Sequence, residues 1–193
     1  MAPDENWQYQ ILEDIAVRAP LSTILSKLAR MLEGLLPGSR ASILVLHGDR
    51  LRVAAGPSLP PAYNDAIDNL LIGPEVGSCG SAAFSGLPVL VADVEQDPRW
   101  RDFAALALSF GLRSCWSVPI LSQGLVLGTF AVYRDEPSLP DTVFLEWLQR
   151  AQHLACLALE SDRMLHELQG SEARFRTLIE RASLEFMANL YAV

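Results

Sequence analysis

The chain has 193 residues, half of them hydrophobic, and its 23 acidic against 15 basic side chains leave a net charge of −8. That length suits one well-cored domain with a modest appendage, and so little clustered positive charge excludes a phosphate-tracking, nucleic-acid-binding surface. Met1 to Gln10 is polar and acidic where a signal peptide is basic and then apolar, and no run of about 18 apolar residues occurs, so we expect a cytoplasmic protein without membrane insertion.

Ile11 to Leu36 spells two helical pieces separated near Pro20, the second with Ile24, Leu25, Leu28, Leu32 and Leu35 at helical spacing. Ala41 to Leu46 and Arg50 to Gly56 flank His47-Gly48-Asp49 as a hairpin, with Leu51, Val53 and Ala55 inward and Arg50 and Arg52 outward. Pro60-Pro61 opens a short helix to Leu70. A glycine-rich connection from Ile72 to Gly80 leads into a short helix, Cys79 to Phe84, capped by Ser78. It lacks the Gly-Lys-Ser/Thr ending of a P-loop, and Lys27 is the one lysine in the chain.

Leu87 to Val94 reads as a strand, and Asp97-Pro98 starts a helix through Trp100, Phe103, Leu106 and Phe110 that Gly111 stops. Arg113 to Leu121 and Leu125 to Tyr133 form a second hairpin around Ser122-Gln123-Gly124. Its second strand is apolar on both faces, as in a strand covered on both sides, and Pro119 belongs at an edge or bulge. From Leu139, with Pro140 and Asp141 as start signals, a long helix follows. Its first half packs on its own domain through Leu145, Leu148, Ala151 and Ala155. Beyond that, Leu157, Ser161, Met164, Leu168, Ser171, Phe175 and Leu178 alternate three and four apart, a heptad seam that pairs with a second copy. Serines in the seam and Gly170 make that pairing weak or adjustable. The order of elements implies an α+β domain with a mainly antiparallel sheet of about six strands sandwiched by helices, with long helices at both ends.

Four blocks of residues resemble successive segments of a bacterial GAF domain. They are Gly77-Ser78-Cys79-Gly80-Ser81-Ala82-Ala83; Val91-Ala92-Asp93-Val94 with Asp97-Pro98-Arg99-Trp100; Gly111 to Ile120; and Gly128-Thr129-Phe130-Ala131-Val132-Tyr133. The resemblance implies three parts: an N-terminal helix over residues 1–20, a sensor domain over 21–160, and a signalling helix over 161–193. Ser171 to Glu180 is similar to the lead-in helix of a PAS domain, and the chain after Ala182 departs from that pattern. The implied role is a non-catalytic input module of a histidine kinase or a cyclic-di-GMP synthase or phosphodiesterase, which binds a small molecule and feeds a downstream domain. An unliganded dimerisation module is the alternative.

The family implies a pocket on one face of the sheet, with Tyr63, Asn64, Cys79, Phe84, Asp93, Trp100, Phe103, Cys115, Trp116 and Phe130 as candidate lining residues. Alternation puts Trp116, Val118 and Ile120 on one face and Cys115, Ser117 and Pro119 on the other, so one set alone can see that pocket. The competing reading makes Trp116 and Phe130 core, and Asp93 the acceptor for nearby backbone donors in an Asx turn. The dimer-interface candidates are Leu157, Met164, Leu168, Phe175 and Leu178.

No cofactor follows from the residues. The histidines are His47, His153 and His166, which leaves Gly48 to Gln152 without an imidazole for haem or zinc, and Asp93, Glu95 and Asp97 lack the rest of a calcium loop. The three cysteines, Cys79, Cys115 and Cys156, form no Cys-x-x-Cys pair. One GAF branch reduces free methionine sulfoxide and has a block similar to Gly77 to Ala82. The catalytic cysteine of that branch falls in the stretch aligned with Pro98 to Ser109, which holds no cysteine here, and Cys115 lies too late.

Overall fold

The computed structural model describes residues 6–190, with side chains through residue 181. The first five residues and the close of the segment after Ala182 lie outside the described residues. The chain divides into two units, residues 1–159 and 160–193.

In the first unit, helices α1 (Asn6–Ala16) and α2 (Leu21–Leu35) precede the hairpin of β1 (Arg40–His47) and β2 (Arg50–Ala55). Helix α3 (Pro61–Ile67), the short strand β3 (Leu70–Leu71), helix α4 (Gly77–Ser85) and strand β4 (Val89–Val91) follow. A 3₁₀ turn (Pro98–Trp100), helix α5 (Ala104–Ser109), the hairpin of β5 (Ser114–Ser122) and β6 (Leu125–Arg134), and helix α6 (Thr142–Leu190) complete the order. Six strands make one sheet in the order β3-β2-β1-β6-β5-β4, every pair antiparallel. The α+β class and the helix-flanked antiparallel sheet are those read from the sequence.

Turn chemistry sets the two hairpins. His47 pairs with Arg50 across Gly48-Asp49, and Gly48 takes φ +63°, the glycine-first pattern of a two-residue hairpin turn. Ser122 pairs with Leu125 across Gln123-Gly124, both at positive φ.

One sheet face carries Ile43, Trp116, Val118, Ile120, Phe130 and Val132 against α1, α2 and the first turns of α6. Leu25, Leu28 and Leu32 of α2 and Leu148, Ala151 and Ala155 of α6 are fully buried there. Each such leucine contributes about 1.5–3 kcal/mol. Trp116 stands edge-on to Phe144 at 5.7 Å, and its indole donates to the Ser138 carbonyl at 2.8 Å, which satisfies the polar end of a buried ring. The opposite face carries Leu44, Cys115, Ala131 and Tyr133, roofed by α3, α4, the 3₁₀ turn and α5.

Several local expectations change. Leu70 leaves α3 and pairs with Leu51 at the sheet edge, because Asn69 at φ +64° turns the chain back. The strand expected from Leu87 to Val94 is reduced to Val89–Val91, and the helix expected from Pro98 divides into the 3₁₀ turn and α5. Asp97 does accept from the Arg99 N–H as expected of a cap. Ser78 does not cap α4, whose N-cap is Val76, since its hydroxyl is used in tertiary contacts. Pro119 lies on β5 beyond the reach of β4, one residue before a register shift at Ile120/Leu121.

In the second unit, from Glu160, the helix exposes Met164, Leu168, Phe175, Leu178 and Ile179. Among the described residues no helix is long and apolar enough to cross a membrane.

Candidate functional site

Strand register decides which side chains share the roofed face. Cys115 opposes Tyr133, Ser117 opposes Ala131, and Thr129 lies between Pro119 and Leu44. With Ser42 across from Ala131, these residues set a band of hydroxyls and a thiol into an otherwise apolar floor. Over it lies a hollow of about 30 Å³ walled by Leu44, Tyr63, Ile67, Cys79, Trp100, Phe103 and Tyr133.

The roof is bonded to the floor. Ser78 Oγ donates to the Cys115 carbonyl at 3.1 Å and accepts from Trp100 Nε1 at 3.0 Å, joining α4, β5 and the 3₁₀ turn through one oxygen. Tyr63 stacks edge-on to Tyr133 at 5.8 Å and to Phe110 at 5.5 Å. Tyr133 Oη lies 3.3 Å from Ser42 Oγ and 3.9 Å from Cys79 Sγ.

Burial keeps both phenols protonated: desolvation, ahead of neighbouring thiols, pushes Tyr63 and Tyr133 well above the usual tyrosine range. The two thiols act together. The Cys115 thiol, outweighing opposed desolvation and joined by Ser117, Tyr133 and Thr129, brings Cys79 down to about 7. Burial and then the Cys79 neighbour push Cys115 up. The pair therefore releases its first proton readily and resists releasing the second. Ser117 Oγ and Thr129 Oγ1 are buried without a partner in hydrogen-bond geometry, close enough to Cys79 to turn a proton toward its sulfur when it ionises.

Residues 20–159 match the GAF domain family. The chain belongs to that family. It is similar to the methyl sulfide methyltransferase-associated sensor of Methanosarcina acetivorans, 34% identical over 176 residues, which covers 90% of this chain and 18% of that protein. Two solved structures share the fold. The GAF domain of an Acinetobacter phosphoenolpyruvate-protein phosphotransferase aligns with a TM-score of 0.66 at 15% identity, over 84% of this chain and 96% of the other. The free methionine-R-sulfoxide reductase of Neisseria meningitidis, in complex with its substrate, aligns with a TM-score of 0.66 at 21% identity, over 86% and 96%.

Within this GAF domain, Tyr63, Cys79, Trp100 and Phe103 line the hollow, and Cys115 lies against Cys79 just beneath it. The other candidates are placed elsewhere. Trp116 and Phe130 are on the opposite face in the core under α2 and α6, because one-residue alternation separates them from Cys115 and Tyr133. Phe84, at 58% exposure, faces solvent at the end of α4. Asn64 donates to the Gly56 carbonyl and borders a separate outer groove with Arg52 and Asp68. Asp93 accepts from the Glu95 N–H and pairs with Arg113, the local role of an Asx turn. Tyr133, Ser78, Ser117 and Thr129 were not among the candidates. Their signal is a period-two row of polar groups, Ser117 on one strand with Thr129 and Tyr133 on the next, inside apolar runs.

Proposed function

We propose that this GAF domain is the non-catalytic sensory input of a longer cytoplasmic signalling protein, and that residues 21–160 sense while residues 161–193 transmit. A small molecule enters between the short helices α3, α4 and α5 and the sheet, lodges between Cys79 of the roof and Tyr133 of the floor, and favours one arrangement of the roof. A downstream output domain of the histidine kinase or cyclic-di-GMP type reads that state through α6, paired with its copy in a second chain. The observation that carries the reading is the apolar hollow roofed by three short helices, with the Cys79 thiol and the Tyr133 hydroxyl on its wall. The sensor name of the Methanosarcina relative supports the class of function. Leu168 is 55% exposed and Phe175 64%, which supports the paired seam.

Two measurements test the reading. Gently purified protein should carry a small molecule visible in native mass spectrometry, and that molecule should raise the melting temperature. Ala66→Trp, at the exposed rim of the hollow, should remove the rise and leave the unliganded melting temperature unchanged. Leu168→Glu should shift the protein toward monomer in sedimentation without moving the urea midpoint of the globular unit. Absence of any stabilising small molecule together with an unchanged dimer would overturn the proposal.

A further inference from the structure

The two cysteines of the site meet although 35 residues separate them in the chain: α4 lies on β5, and Ser78 ties the residue before Cys79 to the backbone of Cys115. Both thiols belong to one buried cluster, and Tyr133, which pairs with Cys115 on the sheet, holds its hydroxyl 3.9 Å from Cys79 Sγ; Cys79 is 6% exposed and Cys115 0%. Around the Cys79 sulfur stand Tyr133 Oη at 3.9 Å and the hydroxyls of Ser117 and Thr129, which have no partner in hydrogen-bond geometry. The hollow that Cys79 borders, about 30 Å³, has room for a molecule of a few atoms.

We infer that Cys79 and Cys115 form a hydrogen-peroxide-reactive thiol pair that closes to an intramolecular disulfide inside the domain. Peroxide enters the hollow, where the Tyr133 hydroxyl on its wall supplies a hydrogen bond to an oxygen, while the hydroxyls of Ser117 and Thr129 turn toward the Cys79 sulfur and stabilise a thiolate. The Cys79 thiolate attacks one peroxide oxygen; the O–O bond breaks, an S–O bond forms, and the departing hydroxide takes up the thiol proton as water. Sulfur is oxidised to a sulfenic acid while one peroxide becomes one water. The Cys115 thiol then attacks the Cys79 sulfur, the S–O bond breaks, and a second water leaves with the Cys115 proton. In sum, two thiols and one hydrogen peroxide give one disulfide and two waters, and an added dithiol reverses the change by thiol–disulfide exchange.

Cys156 differs in setting. It lies on α6, and its thiol donates to the Leu121 carbonyl at 3.2 Å, remote in sequence and element from the hollow. It serves as the internal comparison. The inference requires neither a larger ligand nor a paired helix, so it stands or falls separately from the sensory reading.

The test uses the whole chain, reduced, freed of reductant and treated with an equimolar amount of hydrogen peroxide. It is then unfolded, alkylated and mapped without reduction. The expected result is an intact mass lower by two hydrogens before alkylation, a cross-linked peptide joining Cys79 to Cys115, alkylated Cys156, and recovery of both thiols with dithiothreitol. Cys115→Ser should give no internal cross-link and leave a Cys79 sulfenic acid that dimedone traps when present during unfolding, and Cys156→Ser should leave the cross-link intact. Peroxide that leaves Cys79 and Cys115 both alkylatable, with or without oxidation of Cys156, would overturn the inference. The wild-type peptide map decides the matter even where a variant fails to fold.

Discussion

Ser78→Ala takes a single oxygen from the seam where α4, the 3₁₀ turn and β5 meet. In the intact chain that oxygen accepts from Trp100 Nε1 at 3.0 Å and donates to the Cys115 carbonyl at 3.1 Å, and Ser78 and Trp100 are both buried. Without it the indole N–H has no acceptor. A buried donor left unmatched costs about 1–3 kcal/mol, so we expect a loss of about 2 kcal/mol. A chain of this size loses about 2–4 °C of melting temperature per kcal/mol. Trp100→Phe carries its own penalty for lost ring volume but has no N–H to strand. In that background Ser78→Ala should cost about 1 kcal/mol less than in the wild type, the coupling a double-mutant cycle isolates. Urea unfolding of the four proteins, followed by far-ultraviolet circular dichroism and fitted with a common slope, measures it. A Ser78→Ala penalty below about 0.5 kcal/mol, the range of an ordinary surface change, or an equal penalty in both backgrounds, would refute the reasoning.

Gly128→Ala should be more damaging. Its Cβ would lie 2.1 Å from the Leu44 carbonyl oxygen, and because that atom is backbone, relief requires β1 to shift against β6; we expect a loss of about 3 kcal/mol in the urea midpoint. Asp97→Asn probes acid sensitivity. The Arg99 hydrogen bond, ahead of opposing desolvation, holds the Asp97 carboxyl below the usual carboxylate range. Its stabilisation is complete above the unfolded carboxyl value of about 3.9 and is lost as pH falls through the lower folded value. The variant should therefore show a flatter loss of stability than the wild type in the acid limb below about pH 4, measured by thermal unfolding across a pH series.

The fold was legible where local chemistry and period agree. Gly48-Asp49 and Gln123-Gly124 are turn pairs between strand-forming runs, Pro20 separates two helical patterns, and Pro119 marks a stretch of β5 paired on one side only. Elements of two or three residues were not legible, because Leu70–Leu71 and Val89–Val91 are too short to show a period and owe their pairing to neighbouring strands. The site was legible in part. Cys79, Trp100 and Tyr63, implied by the family resemblance, line the hollow, whereas Trp116 and Phe130, implied by the same resemblance, fall on the other face, where strand alternation sets them opposite Cys115. Ser78 in a helix-start position reads as a cap, and only the arrival of Trp100 and Cys115 from distant parts of the chain gives its hydroxyl other work. Tyr133 ends its apolar run, where sequence alone does not show that Cys79 lies above it.

The rims of the sheet are blunted on both sides. The outermost strands are stubs of two and three residues, too short to template an added strand. Where β5 extends past its outer neighbour, Pro119 has no amide hydrogen to offer, and its carbonyl already accepts from the Gln152 side-chain amide at 2.6 Å. Backbone ladders thus have little chance to run from one molecule into the next, which guards against fibrous stacking at high cellular concentration. Contacts with other proteins are left to side-chain surfaces, whose identity can change by substitution without disturbing the sheet.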